Sequence, residues 1–163
     1  MLRRLEKKDA PFMLEWMHDE KINCNFQYPF REMTMEKIEA FIENSYDDVN
    51  KHFAIVNEQD EYLGTVSLKN ISEQNSSAEY AVVMRQKAQG TGVAMKATKE
   101  VIRYAFEELK LHKVYLNVLE INEKAKRFYL KSGFEFEGTQ KDAIRLNGKF
   151  ESLSWYGIIN DKE

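Results

Sequence analysis

The stretch from Tyr80 to Phe134 constrains the fold more than any other part of the chain. It opens with a β-rich apolar run, Tyr80 to Met84, and passes into a glycine-containing turn, Gln89-Gly90-Thr91-Gly92-Val93-Ala94. Apolar residues then recur at Val93, Ala97, Val101 and Ala105, with an adjoining row at Ala94, Ile102, Phe106 and Leu109. That is the spacing of one face of an amphipathic helix. A second apolar strand spans Val114 to Leu119, and Asn122 opens a short further helix. Strand, turn, helix, strand is a βαβ unit, which favours a right-handed parallel crossover.

The turn has a chemistry of its own. The first N–H groups of a helix lack intrahelical partners, and the helix dipole adds partial positive charge there. Gly90 and Gly92 let a ligand approach the backbone closely. The start of this helix is therefore a candidate anion site, best suited to phosphate or pyrophosphate. A plain strand-to-helix turn would also use glycines here. Neither Gly-x-Gly-x-x-Gly nor a Gly-Lys-Ser/Thr ending is present, so the dinucleotide fingerprint and the Walker loop do not fit.

Gln89-x-x-Gly92-x-Ala94 matches the (Gln/Arg)-x-x-Gly-x-(Gly/Ala) signature of the GNAT superfamily of acetyl-CoA-dependent N-acetyltransferases, and lies where that family has it, between a strand and a long helix. Downstream, Asn122-x-x-Ala125-x-x-x-Tyr129-x-Lys131-x-Gly133-Phe134 resembles the family's later motif. The two together, in order, make the resemblance specific, and it covers nearly the whole chain. The branch it most resembles holds ribosomal-protein N-terminal alanine, spermidine and amino-sugar acetyltransferases. Ile144-Arg145-Leu146-Asn147-Gly148-Lys149-Phe150-Glu151 supports that branch.

The rest of the chain agrees. Its 163 residues suit a single domain, 1–163. A charged fraction of 31% with net charge −3 gives no global drive toward nucleic acid or an anionic membrane. One cysteine, Cys24, permits no internal disulfide and fits a reducing cytoplasm. No run approaches a membrane span, and the N-terminus lacks the apolar core of a signal peptide. Leu2 to Leu5 reads as a strand. Asp9 is placed to N-cap a helix with Pro11 in its first turn, and Thr34 to cap another carrying Ile38, Phe41 and Ile42. His52–Val56, Tyr62–Leu68 and Ala78–Met84 read as strands. Asn147-Gly148 between Glu135–Ile144 and Phe150–Ile158 signals a hairpin, and the alternative for Glu135 to Leu146 is a strand broken by a bulge near Gly138. The order is α/β in the mixed sense. It agrees with the GNAT architecture, a central twisted mixed sheet of about six to seven strands flanked by about four helices.

The resemblance implies direct acetyl transfer from acetyl-CoA to an amine within a ternary complex. Val82, Val83 and Met84 would then hydrogen-bond the pantetheine arm, with the Val83 or Met84 N–H as donor to the developing oxyanion. Gln89, Gly90, Thr91, Gly92, Val93 and Ala94 would hold the pyrophosphate. Asn122 would contact pantetheine, or simply cap its helix, and Lys131 would meet a phosphate. Arg85, Lys87, Lys96 and Lys126 are further basic candidates. Tyr129 matches the tyrosine beside the CoA sulfur. A tyrosine of pKa about 10 donating to a thiolate of about 8.5 acts first as a hydrogen-bond donor. Glu79, charged in an apolar strand, is the candidate general base; a lysine partner or a place in solvent is the alternative. The first two helices would form one wall of the acceptor pocket, with Trp16, Tyr28, Phe30 and Arg31 as substrate-binding candidates. No spacing of His, Cys, Asp or Glu suggests a metal site.

The function so implied is acetylation of a primary amine on a small molecule. Trp16, Tyr28, Phe30 and Arg31 tilt the choice slightly toward an amino-sugar nucleotide, while Glu15, Asp19, Glu20 and Glu32 would suit a polyamine. A protein N-terminus is an alternative acceptor. A non-catalytic acyl-CoA-binding module is the other class, though binding alone does not need Tyr129. Phe150, Trp155 and Tyr156 close the core or offer a homodimer patch.

Overall fold

A computed structural model of the chain describes residues 1–162. Its strands are β1 (Leu2–Arg4), β2 (Lys51–Val56), β3 (Tyr62–Ser72), β4 (Ser77–Met84), β5 (Lys113–Leu119), β6 (Glu135–Leu146) and β7 (Lys149–Ile159). They form one sheet in the order β1-β2-β3-β4-β5-β7-β6. All neighbours run antiparallel except β4 and β5, which are parallel. The helices are α1 (Ala10–Met17), α2 (Glu20–Asn23), α3 (Met35–Glu43), α4 (Val93–Glu107) and α5 (Glu123–Lys131). The mixed α/β architecture anticipated from the motifs is therefore present, and α4 is the crossover of the βαβ unit.

The strand alternation sorts side chains onto two faces. Tyr80, Val82 and Met84 pack with Val66, Leu68, Ala97, Val101, Ala105 and Leu116 under α4. Val83 points the other way and joins Ala54, Val56, Tyr62, Trp16 and Ile38 under α1 and α3. The stripe read from the sequence is the buried face of α4, with Ala97, Val101 and Ala105 almost fully enclosed. The helix ends at Glu107, so Leu109 lies beyond it.

Local signals explain most boundaries. Thr34 accepts a hydrogen bond from the Lys37 N–H (3.3 Å), and Asn122 accepts one from the Ala125 N–H (3.1 Å), so both cap their helices. Asn147 and Gly148 both have positive φ, 51° and 77°, as a two-residue type I′ hairpin turn requires. The bulge near Gly138 is real: register shifts between Phe136 and Gly138, and again between Gln140 and Ile144.

Two details differ from expectation. Asp9 stands before α1 but does not cap it. Its two oxygens are taken by the Arg3 guanidinium (2.8 Å each) and the Glu6 N–H (2.8 Å), closing a capping box on the 3-10 turn Lys7–Asp9. After α1, two short elements add to those read from the sequence. Asp19 accepts from the Lys21 N–H (3.0 Å) and starts α2, and Phe30–Glu32 forms a 3-10 turn.

Candidate active site at the fork between two parallel strands

β4 and β5 pair for only three rungs: Ser77 with Lys113, Ala78 with Val114, Glu79 with Tyr115. Beyond Glu79 the strands part. β5 continues in register with β7 to Leu119, and β4 continues in register with β3 to Met84. Backbone groups of Tyr80–Met84 on the open side thus have no ladder partner in the sheet. An extended chain carrying amides can complete such an edge by strand-like pairing. Val82, Val83 and Met84 form the β4 side of this opening.

β4 leads into the turn at α4. Gly90 and Gly92 have φ of +76° and +84°. That is left-handed territory open to glycine at no steric cost. A Cβ built on either would meet nothing within 4 Å, so the space over both is clear. No side chain caps the first turn of α4. Thr91 instead donates to the Ala88 carbonyl (2.6 Å), and the Gln89 side chain donates to the Met84 carbonyl (3.4 Å), which pin the turn from within. Val93 and Ala94 begin the helix. Exposed glycines, uncapped N–H groups and the dipole fit the diphosphate of a coenzyme.

Tyr129 projects from α5 toward the underside of the fork. Its ring packs edge-on against Tyr80 (5.9 Å between centroids), Phe128 and Phe134. Burial pushes its phenol up to about 12, so it is protonated at neutral pH. Tyr80 is fixed in turn: its hydroxyl lies 2.7 Å from Thr98 Oγ1, which donates to the Ala94 carbonyl (2.7 Å). This chain of bonds links the wall behind Tyr129 to the first turn of α4. Sequence reading missed Thr98, whose polarity inside an apolar stripe was the available signal.

Glu79 sits at the last rung before the strands part. Lys69 Nζ lies 3.1 Å from Oε2, and Asn117 Nδ2 donates to Oε1 (3.3 Å). The alternative of a lysine partner is therefore realised in the structure. Glu79 shares its face with Ala81 and Val83, the face on which α1 and α3 pack and opposite to α4.

The other expected residues fall in different settings. Trp16 is 3% exposed, its Nε1 donates to the Tyr62 hydroxyl (3.0 Å), and its ring packs edge-on to Phe30. It borders a hollow of about 430 Å³ with Glu15, Asp19, Ile22, Gln86 and Lys87. Tyr28 is exposed and stacks at a tilt on Phe30, while Arg31 lies exposed beside it in the 3-10 turn. Of the basic candidates, Arg85 is buried and held by Glu15 (2.6 and 3.1 Å) and the Tyr62 carbonyl (2.9 Å). It braces α1 against the sheet. Lys87 pairs with Glu61, and Lys126 with Glu120 and Glu123. Lys131 stands exposed in the last turn of α5. His52, half-buried against Phe41, is pushed down to about 4 by desolvation and is neutral at pH 7. A larger hollow of about 580 Å³, between the C-terminal half of α4 and the end of β7, lies away from the fork. Among the described residues no acidic, His or Cys cluster could hold a metal, and no helix is long and apolar enough to cross a membrane.

Comparison with known proteins matches this geometry. Residues 1–135 match the model of the acetyltransferase (GNAT) domain. The chain is 29% identical to a spermidine N(1)-acetyltransferase of Vibrio cholerae over 162 residues, 99% of this chain and 93% of the relative. It is 34% identical to the spermidine N(1)-acetyltransferase of Escherichia coli, over 93% of this chain and 81% of the relative. A putative ribosomal N-acetyltransferase of Bacillus subtilis is 27% identical over 97% and 90%. The crystal structure of the Vibrio cholerae spermidine N-acetyltransferase in complex with CoA and spermine superposes with a TM-score of 0.90 at 27% identity, covering 99% and 96% of the two chains. The fork, the glycine turn and the family match agree, and the chain belongs to the GNAT family of acetyltransferases, which use acetyl-CoA as donor.

Proposed function

We propose that this chain acetylates a primary amine of a polyamine of the spermidine class. The observation that carries the choice of acceptor is the pair of spermidine N(1)-acetyltransferases matched over almost the full chain. It displaces the amino-sugar preference read from the aromatic residues. The burial of Trp16 supports the displacement, since a ring already packed on Phe26 and Phe30 offers no free face for a sugar.

The coenzyme supplies an activated acetyl group as a thioester. In this reading Gln89–Ala94 hold its diphosphate by backbone N–H groups, with Lys131 nearby for a phosphate. The Val82–Met84 stretch pairs with the pantetheine amides. The Arg85 N–H bonds the Leu63 carbonyl on β3 (2.9 Å), so by strand alternation the Met84 N–H faces the opening and is aimed at charge developing on the thioester oxygen. Asn122 spends its oxygen on capping and retains its amide N–H₂ for the arm. The acceptor enters from the opposite face, past Glu79 and the segment holding Tyr28, Phe30 and Arg31. Glu79 takes a proton from the entering ammonium, because only the neutral amine has a lone pair to attack with. As the C–N bond forms and the C–S bond breaks, the Tyr129 hydroxyl donates a hydrogen bond to the departing sulfur. In all the nitrogen gives up two protons, one to Glu79 before attack and one as the amide forms; the thiol gains one, and the other passes from Glu79 to solvent. Holding both reactants in line supplies much of the rate.

Thiol release from acetyl-CoA tests this directly, with spermidine, an amino-sugar nucleotide and an alanine-initiated peptide as acceptors. Spermidine should give the highest kcat/KM, by about tenfold or more, the size of one well-made ionic contact. A higher value for the sugar or the peptide would overturn the polyamine reading and leave acetyl transfer standing.

A further inference from the structure

Glu79 is held from both neighbouring strands at once. Lys69 faces it across the β3–β4 rung, and Asn117 reaches it from β5, two residues beyond the last β4–β5 rung. Each carboxylate oxygen has one of these partners. Asn117 is neutral, so the cluster carries one positive and one negative group and no net charge. Tyr115 lies opposite Glu79 on β5, its phenol raised by burial first and by Glu79 second. His52, on the same face beyond Ser67, is neutral at pH 7 and adds no charge. Lys69 is thus the cation that faces this carboxylate.

A lysine ammonium and an acceptor ammonium are the same chemical group. Alkyl amines are protonated at pH 7, with a reference pKa of about 10.4. We infer that Lys69 is a built-in competitor for the acceptor's ammonium on Glu79, and so sets how weakly this enzyme holds its amine. The inference rests on the reading above that the amine meets Glu79. The Lys69 side chain is 37% exposed and that of Glu79 is 17% exposed. The lysine can therefore swing into solvent while Asn117 keeps the carboxylate in place. Competition of this kind acts on acceptor binding and leaves the coenzyme side, on the opposite face of the sheet, untouched.

The test is steady-state kinetics of Lys69→Gln and Lys69→Arg. Lys69→Gln should lower the KM for spermidine about fivefold, the equivalent of roughly 1 kcal/mol for a half-exposed ion pair. Its KM for acetyl-CoA should stay unchanged. Lys69→Arg keeps the charge and should leave both constants within about twofold. A merely structural lysine would raise both KM values in Lys69→Gln, and that result, or an unchanged acceptor KM, overturns the inference. Absence of thiol release with every amine would instead overturn the acetyl-acceptor reading. Calorimetric titration of spermidine into the CoA-saturated proteins then decides the role of Lys69: tighter binding to Lys69→Gln supports competition, and equal binding refutes it.

Discussion

Replacing Tyr129 by Phe should lower kcat about a hundred- to a thousandfold, the range for losing a positioned proton donor. The KM for acetyl-CoA and the melting temperature should barely change. The reason lies in the surroundings of the ring. Its contacts with Tyr80, Phe128, Phe134 and Tyr156 are made by aromatic carbon, and phenylalanine keeps them all. Only the hydroxyl goes. Burial holds that hydroxyl at about 12. Full proton transfer from it to a thiolate of pKa about 8.5 is uphill by several kcal/mol. Its contribution is therefore a hydrogen bond that strengthens as charge builds on sulfur. Single-turnover rates with saturating amine measure this, and a loss under about fivefold would remove Tyr129 from the chemistry.

Asp9→Ala should be the most destabilising single change outside the apolar core. Asp9 is 1% exposed and is bonded to both Arg3 nitrogens and the Glu6 N–H. Removing it strands the Arg3 guanidinium, which is only 18% exposed, and frees the 3-10 turn that leads into α1. Breaking a buried pair of this kind costs about 3–5 kcal/mol. At roughly 2–4 °C per kcal/mol for a chain this long, the melting temperature should fall by about 6–20 °C. Asp60 also bonds Arg3 (2.6 Å) but is itself half-exposed, so it compensates little. Urea unfolding that places the loss under 1 kcal/mol would mean Arg3 finds full hydration or a full substitute in Asp60.

How much of this was readable beforehand depends on the range of each interaction. The βαβ unit, the caps at Thr34 and Asn122 and the turn at Asn147-Gly148 are local, and each follows from side chains within a few residues. The glycine turn and Tyr129 stood out as candidates because their spacing along the chain is itself the signal. The partners of Glu79 were not. Lys69 and Asn117 lie 10 and 38 residues away from it, and only the sheet register brings them together. For the same reason Arg85 read as a phosphate contact until its pairing with Glu15, 70 residues away, took it out of reach. Trp16 read as lining the acceptor pocket, and the structure buries it. Its bond to Tyr62 draws the indole inward, and that depends on how α1 packs on the sheet.

The central claim is that the fork and the glycine turn together hold acetyl-CoA. Calorimetric titration of acetyl-CoA and free CoA into the wild type and Gly92→Glu tests it most directly. Gly92 has φ +84° with open space above it, so a glutamate there carries about 1–2 kcal/mol of backbone strain and leaves the fold standing, as thermal melting would verify. Its carboxylate would occupy and repel the diphosphate position. The prediction is about micromolar affinity for both ligands in the wild type and at least about a hundredfold weaker binding in the variant. Equal affinity in the two proteins, or no binding to the folded wild type, would contradict it.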